Sequence, residues 1–255
     1  MRKIMFAAAL AAGAGVAQAE PTITLYGLID TGISYYKVDG GGYDHSHLGM
    51  TTGNQDGSRW GLRGSDDLGD GLRVEFVLES GFDSTNGQRD QNGRMFGRQA
   101  TIGIAHDAWG SLEFGRQQNM ASRYLADIDP FYTSYTQANM GLGFSAANTY
   151  RLDNMIMYRT PSIGGLELGL GYSFGVDGTD AGQRGFATAD NARGITAGVR
   201  YLGGPLNVTL TFDQLRGSHA QGSDTTPRQY ALGVAYDFEV IKLAAVYADR
   251  KLSHL

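Results

Sequence analysis

Apolar and polar residues alternate along most of the chain, in short runs separated by turn-forming stretches. In the run from Thr22 to Tyr36, Leu25 and Ile33 fall on one face and polar residues fall on the other. Because successive side chains of a β-strand point to opposite faces, such a run predicts a strand with one apolar and one polar face. Similar runs lie at residues 59–63, 72–79, 99–104, 111–114, 151–159, 166–174, 195–201, 206–213, 229–238 and 241–247. The pattern predicts an all-β chain of about eleven strands without a convincing helix.

The connections between these runs alternate in length. The short ones are Ser65–Asp70, Ala105–Gly110, Pro161–Gly165 and Leu202–Pro205. The long ones are Lys37–Gly57, Asp83–Arg94, Met120–Tyr150 and Val176–Arg193. Antiparallel strands joined alternately by tight turns and long loops are typical of a transmembrane up-and-down β-barrel. We therefore predict that fold class.

The two faces of the strands help to distinguish a membrane barrel from a soluble sandwich, which would show a similar alternation. The polar positions hold Arg, Glu, Asp, Asn and many Gly, which suit a water-filled interior. Aromatic residues on the apolar face often lie at the ends of the runs, as at Tyr35, Trp60, Phe114, Tyr158, Phe174, Phe212 and Phe238. Aromatic girdles at the two water–lipid boundaries give that placement. The membrane barrel is therefore the preferred interpretation, with outer-membrane lipid on its apolar side.

One stretch, Met120 to Tyr150, interrupts the alternation; we call it the central loop. It contains Asp127, Asp129 and several aromatic residues, among them Phe131. An unpatterned stretch of this length in a compact domain is usually functional or disordered. The aromatic residues argue against disorder because they need surfaces to pack on. We expect the loop to fold against, or into, the surrounding β-structure.

The first nineteen residues predict a cleaved secretory signal peptide. Arg2 and Lys3 precede an apolar run, and a small-x-small sequence at residues 17–19 precedes Glu20. A membrane-anchoring helix is the alternative, but the run is too short to span a bilayer comfortably. Residues 20–255 are then expected to form one exported barrel domain.

Composition excludes some classes of function. The chain has no cysteine and a net charge of −5. Without disulfides, an exported chain must depend on burial or on a membrane for stability. The acidic balance and the absence of a basic stripe argue against nucleic-acid binding.

Catalytic and metal-binding patterns are weak. No Gly-x-Ser-x-Gly elbow is present, and His45 and His47 lie in a Gly/Asp-rich stretch without a third ligand at suitable spacing. Asp127 and Asp129 could act as a catalytic pair, but no histidine or serine partner is evident. We predict no catalytic residues, no metal and no cofactor.

Five motifs stand out along the chain: the opening at residues 21–30, the segment at 58–71, the sequences Phe96–Ala100 and Phe114–Gln117, and Asp153-Asn154 leading to Tyr158. These motifs resemble those of the Gram-negative general porins, in particular their β-proteobacterial branch. Together they cover nearly the whole mature chain in the same order. The resemblance implies passive diffusion of small hydrophilic solutes and ions through an outer-membrane channel. An outer-membrane hydrolase and a structural or adhesin barrel are the alternatives.

The resemblance also implies a sixteen-stranded barrel that forms a homotrimer, with the central loop, residues 120–150, folded into the lumen as a constriction. Such porins have about a hundred more residues and a C-terminal aromatic, so the chain is expected to be a truncated barrel.

Family positions then imply a basic wall of Arg59, Arg63, Arg98 and Arg151 facing the acidic loop residues Asp127 and Asp129. Arg98 lies an even number of positions from Ile102, so a regular strand would place both on the apolar face. A bulge or shifted register has to be assumed there. An excess of two positive charges among these six residues predicts a weak anion preference.

Overall fold

The computed structural model describes residues 22–40, 43–135, 141–146, 150–176, 192–217 and 225–254. Within these ranges lie thirteen strands: β1 (Thr22–Leu28), β2 (Thr31–Gly40), β3 (Tyr43–Thr52), β4 (Arg59–Gly69), β5 (Leu72–Gly81), β6 (Gln99–His106), β7 (Gly110–Gln118), β8 (Arg151–Arg159), β9 (Leu166–Ser173), β10 (Arg193–Gly203), β11 (Leu206–Arg216), β12 (Thr225–Asp237) and β13 (Lys242–His254). Two short helical segments, α1 (Asp90–Gly93) and α2 (Met120–Tyr124), and a 3-10 turn at Gly141–Phe144 complete the described elements. None of the described helices is long and apolar enough to cross a membrane. The predicted signal peptide, residues 1–19, and most of the predicted connection Val176–Arg193 lie outside the described residues.

Eleven of the strands form one antiparallel sheet in the order β1-β4-β5-β6-β7-β8-β9-β10-β11-β12-β13. From β4 onward every strand pairs with its neighbour in the chain, which confirms the predicted up-and-down connectivity. β1 and β13 are the edges of this sheet, so within the described residues it is not closed into a cylinder.

The first predicted strand was wrong in its extent, because the run at residues 22–36 is divided between β1 and β2. Asp30 lies at the break, where its carboxylate accepts hydrogen bonds from the backbone N–H of Gln55 (2.7 Å) and Asp56 (2.8 Å). Its backbone carbonyl accepts from Gly53 at 3.0 Å. These bonds turn the chain, and β2 leaves the main sheet to pair with β3.

The predicted long connection Lys37–Gly57 was therefore also wrong, since most of it forms the β2–β3 hairpin. In register, Ile33 faces Met50 and Tyr35 faces Leu48. The His, Asp and Gly residues between the apolar ones hid this pattern. His45 and His47 consequently lie on a strand rather than in a loop.

Burial across the sheet is the reverse of that in a soluble protein. Ile102, on the apolar face, is 58% exposed, whereas Thr196, on the polar face, is 0% exposed. Water would oppose such an arrangement, because exposed apolar area is unfavourable in it. The apolar face suits lipid, as expected for a membrane barrel.

Aromatic side chains gather at both ends of the strands. Near the long connections, the rings of Tyr172 and Phe174 lie 4.9 Å apart, and those of Phe212 and Tyr230 lie 4.8 Å apart. At the short turns, the Tyr158 hydroxyl donates to the Trp109 carbonyl at 2.6 Å. Two aromatic girdles of this kind mark the membrane boundaries of barrels.

The central loop packs on the polar face of β9 to β12, over a groove made by glycines. Gly169 lies in contact with Met120 of α2. A Cβ atom at Gly198 would lie 2.7 Å from the Tyr124 ring, and one at Gly233 would lie 2.7 Å from Leu125. Only residues without a side chain allow such a close approach. These glycines were expected to line a wet wall, and that was wrong: the loop covers them.

α2 is capped by Asn119, whose side-chain carbonyl accepts a hydrogen bond from the Ser122 N–H at 2.8 Å. Such a cap satisfies one of the free donors of the first helical turn. The helix buries Met120 and Tyr124 against Leu152, Met155 and Met157 of β8 and Leu215 of β11. A second apolar cluster joins Leu125, Ile128 and Phe144 of the loop to Ala231 and Ala235 of β12. The loop thus has its own dry core on the polar side of the sheet.

The orientation of the barrel can be tested with single cysteines, because the chain has none. The side chains of Asp39, on the β2–β3 hairpin, and Asp107, in the short β6–β7 turn, are 73% and 78% exposed. Asp39→Cys is expected to react with an impermeant thiol reagent on intact cells. Asp107→Cys is expected to react only after the outer membrane is broken. Equal labelling of both on intact cells would contradict the up-and-down arrangement.

Candidate functional site

A cavity of about 510 Å³ lies between the tip of the central loop and a wall formed by β4, β7, β8 and the residue before β6. The loop contributes Tyr132, Thr133, Ser134 and Tyr150, and the wall contributes Arg59, Arg98, Arg151 and Gln118. Three of the four predicted arginines therefore meet the loop at one place. We call this place the narrowing.

Arg59 begins β4 and is held by Asp56. Its Nη1 and Nη2 donate to the two carboxylate oxygens of Asp56 at 2.6 and 2.9 Å, and Nη1 also donates to the Gly57 carbonyl at 3.1 Å. Two-point pairing of this kind fixes the guanidinium plane. The hydrogen bond from Arg59 lowers the pKa of Asp56, so the carboxylate stays charged at neutral pH.

Arg98 lies immediately before β6 and not within it. The alternation of faces that would have placed it on the apolar side with Ile102 therefore does not apply to it. Its Nε donates to Glu79 at 2.6 Å, and its backbone N–H donates to the Glu79 carbonyl at 3.1 Å. The second oxygen of Glu79 accepts from the Tyr26 hydroxyl at 2.9 Å. Glu79 also lies 3.9 Å from Arg59, so one carboxylate positions two arginines of the narrowing.

Arg63 does not join this group. It lies four positions further along β4, where its guanidinium stands 5.6 Å from the centre of the Tyr26 ring. It lines a different cavity, together with Thr22, Thr24 and Glu75. The structure therefore gives Arg63 no direct contact with the tip of the central loop.

The two predicted acidic residues have different surroundings. Asp127 pairs with Arg200 of β10 (Oδ2 to Nη1, 2.8 Å), and its backbone carbonyl accepts from Lys242 at 3.0 Å. Asp129 is buried and accepts hydrogen bonds from the backbone N–H of Phe131 (2.9 Å) and Thr133 (3.1 Å). Neither carboxylate faces the three arginines of the narrowing across the cavity.

Asp129 instead supports the shape of the loop tip. Tyr132 and Thr133 both have left-handed backbone angles, with φ of 51° and 55°. Such angles are strained for residues other than glycine and persist where surrounding bonds hold them. The bonds that Asp129 accepts stabilise the turn that presents Tyr132 and Thr133 to the arginines.

Further arginines along the polar face share carboxylates in pairs. Asp153 binds Arg94 at 3.0 Å and Arg116 at 2.6 Å. Glu113 binds Arg123 of α2 at 3.0 Å and Arg159 at 2.9 Å. Each group keeps an excess of one positive charge.

The base of the central loop carries a third kind of group, in which one arginine meets two carboxylates. Arg200 pairs with Asp127 and with Glu167, the latter at 3.1 Å. The Tyr124 hydroxyl donates to the other oxygen of Glu167 at 2.7 Å. Burial and this hydrogen bond raise the pKa of Tyr124, so the phenol stays neutral.

Similar proteins of known family agree with this architecture. The family of Gram-negative porins matches residues 7–254. An outer membrane porin protein of Bordetella pertussis is 57% identical over 266 residues, covering 97% of this chain and 69% of that protein. The outer membrane porin protein 32 of Delftia acidovorans is 33% identical, with 98% and 70% covered.

This chain belongs to the Gram-negative porin family. Among solved structures, an anion-selective porin from Comamonas acidovorans matches with a TM-score of 0.75 and 29% identity, over 92% of this chain and 69% of that one. OmpF of Salmonella typhi matches in fold, with a TM-score of 0.63 at 20% identity over 90% and 66% of the two chains. The family places this porin in the outer membrane and makes the polar face of its sheet the lumen wall.

Several residues of the narrowing were missed by the sequence analysis, above all Asp56 and Glu79. Glu79 could be assigned to the polar face by its alternation, but its partner Arg98 becomes visible only when β5 and β6 are paired in register, Glu79 opposite Gln99. Arg200, the partner of Asp127, also lay on a predicted polar face. Nothing in the spacing of the sequence joins it to a residue 73 positions away.

The described part of this porin contains no group of three or more His, Asp or Glu side chains arranged to hold a metal ion. His47 instead packs its ring 5.1 Å from that of Tyr36. Asp127 and Asp129 are engaged separately, by a guanidinium and by backbone amides. The narrowing presents fixed guanidinium and hydroxyl hydrogen-bond donors to a passing solute.

Proposed function

We propose that this porin is a water-filled channel for the passive diffusion of small hydrophilic solutes and ions, narrowed by its central loop. The observation that carries the proposal is the cavity where Tyr132, Thr133 and Ser134 face Arg59, Arg98 and Arg151. The loop is held there by a dry core on the lumen wall, so the size limit is built into the folded state. Polar walls and fixed charges then select solutes by size and charge without chemistry.

The fixed charges at the narrowing support a weak preference for anions. Arg59, Arg98 and Arg151 carry three positive charges, against the two negative charges of Asp56 and Glu79, which hold Arg59 and Arg98. The remaining excess of one charge is smaller than the excess of two expected from the sequence. Charges further away contribute less, since exposed charges are screened beyond roughly 10 Å at 0.1 M salt.

Arg63, Asp127 and Asp129 remain part of the proposed charge pattern of the lumen, but in secondary roles. Arg63 adds a positive charge to the wall beside the narrowing. Asp127 neutralises Arg200 at the base of the loop, and Asp129 shapes its tip. We further propose a homotrimer and a mature chain that begins after residue 19, both of which rest on the family resemblance and the sequence.

The test is ion selectivity, measured as the zero-current potential across a planar bilayer with a salt gradient. Replacing Arg98 and Arg151 together by glutamine is expected to shift that potential towards cation preference, because two positive charges leave the point where the field is focused. Arg73→Gln is the matched control: Arg73 lies at the short-turn end and pairs with Glu75 and Asp107. It is expected to leave the potential close to that of the parent.

An unchanged potential in the double variant would remove these arginines from the conducting path. The control removes one charge and the double variant two, so a shift in the control of half the size or more would show that net charge, and not the narrowing, sets selectivity. Absence of ohmic channels in the parent protein would contradict the channel function itself.

A further inference from the structure

A row of three buried polar side chains crosses the lumen wall beneath the central loop. Thr196 of β10 pairs in register with Asp213 of β11, and Asp213 pairs in register with Gln229 of β12. All three are buried, and Asp213 is only 4% exposed. They lie on the face that carries the loop, and none of them belongs to the narrowing.

The two outer members of the row bind the two ends of the loop. Thr196 accepts a hydrogen bond from the backbone N–H of Met120 at 2.7 Å, where α2 begins. Gln229 donates its amide N–H to the carbonyl of Gly143 at 2.7 Å, where the loop returns. The row therefore holds the loop at its departure and at its return.

A side-chain bond within the loop joins these two ends. Asn119 donates its amide N–H to the Ser145 hydroxyl at 3.0 Å. Ser145 is buried and faces Asp213, as does the Thr196 hydroxyl. Because Thr196 accepts from Met120, its own hydroxyl proton remains available for a carboxyl oxygen of Asp213.

Asp213 is unlike the other buried carboxylates of this porin. Asp153 binds two arginines, and Asp129 accepts two backbone N–H bonds. Within the described residues, neither oxygen of Asp213 has a hydrogen bond of good geometry, and no ion pair to it is found. A buried carboxylate that only helped to tune lumen charge would not be expected in such a dry position.

We propose that Asp213 is a positioning residue of the constriction, which joins Thr196 and Ser145 into one hydrogen-bonded chain and so fixes both ends of the central loop on the lumen wall. Chains of hydrogen bonds strengthen one another in a low-dielectric interior. A charged carboxylate without a cation beside it would be strongly disfavoured in this buried row. The position therefore requires a neutral hydrogen-bonding side chain of this size. Asparagine is expected to fulfil the role of Asp213.

The proposal rests on the role proposed for the central loop, but it can be tested without conduction. Hydrogen–deuterium exchange of the folded protein in detergent measures the opening of peptides from residues 119–135. Asp213→Leu removes the hydrogen-bonding groups at similar size, and Asp213→Asn keeps them. Thr211→Val is the matched control, since Thr211 is equally buried on the same face of β11, two residues away.

The leucine variant is expected to raise loop exchange about tenfold, the factor that corresponds to one lost hydrogen-bonded anchor. Exchange in β9 and β10 is expected to stay as in the parent, and the asparagine and Thr211→Val variants are expected to keep the loop protected. Asp213→Ala serves as a smaller second variant, with the same expected increase, if the leucine variant does not fold.

Two results would overturn the proposal. If the leucine and alanine variants that fold keep the parent's loop protection, Asp213 does not position the loop. If the asparagine variant exchanges as fast as the apolar variants, the carboxylate acts by its charge and not as a neutral hydrogen-bonding group. Loss of conduction with the loop still protected would count against the proposed channel and not against this role of Asp213.

Discussion

Replacing Gly198 by valine is expected to lower the open-channel conductance and to destabilise the folded porin. A Cβ atom at this position would lie 2.7 and 2.9 Å from two carbon atoms of the Tyr124 ring and 3.3 Å from the Met120 Cβ. Valine adds two methyl groups beyond that atom. The wall behind Gly198 is sheet backbone, so α2 can yield only towards the lumen. Overpacking of this kind costs about 1–3 kcal/mol of unfolding free energy.

The measurement combines single-channel conductance with thermal or denaturant unfolding. Val199→Leu is the control, because it adds bulk to the same strand on the exposed, lipid-facing side. It is expected to leave both quantities close to those of the parent. If Gly198→Val conducts and unfolds like the parent, the loop does not occupy the glycine groove.

The alternation of the sequence predicted most of the main sheet because it follows directly from strand geometry. From β4 to β13, each predicted run corresponds to one strand, and consecutive strands pair. Side chains such as Ile102 and Thr196 also have the predicted faces, with the apolar residue exposed and the polar one buried. The pattern needs no long-range information, since the period of two is a local property of the backbone.

The β2–β3 hairpin could not be predicted in the same way. Its strands contain Gly, Asp and His at positions where a membrane strand would carry a clear alternation. The division of the first run depends on hydrogen bonds that Asp30 accepts from residues more than twenty positions away. Such contacts exist only once the chain has folded.

A glycine on the polar face can occur for either of two physical reasons, contact with water or close packing against another segment. Gly169, Gly198 and Gly233 fall on the polar face, whose composition suggested a water-filled interior. Their neighbours in the structure are Met120, Tyr124 and Leu125 of the central loop. The sequence showed where the glycines point, but not what would pack on them.

For the charged residues, too, the sequence did not show which groups would be in contact. Arg59, Arg98 and Arg151 line one cavity with the tip of the central loop. Their carboxylate partners, Asp56 and Glu79, are set by strand register and by a local turn. Asp127 and Asp129 were assigned by position in the loop, and their actual partners depend on how the loop folds back on the wall.

Shortening the tip of the central loop is expected to enlarge the narrowing without releasing the loop. Removal of Phe131–Ser134 leaves the apolar packing of Met120–Ile128 and the bond from Gln229 to Gly143 in place. It removes Tyr132, Thr133 and Ser134 from the cavity that they form with the arginines. The conductance is therefore expected to rise, and larger sugars are expected to pass.

A four-residue deletion elsewhere controls for the effect of a shorter chain. Lys37–Gly40, the last four residues of β2, offer such a site because the β2–β3 hairpin does not belong to the main sheet. This deletion is expected to leave conductance and solute size limit near those of the parent.

Polymer exclusion in planar bilayers tests the central claim most directly, because it measures the width of the narrowing. Neutral polyethylene glycols of increasing size lower single-channel conductance only when they can enter the channel. We expect the largest polymer that enters to be larger in the Phe131–Ser134 deletion than in the parent and in the hairpin deletion. The same size limit in all three proteins would contradict the account, since the central loop would then not form the constriction.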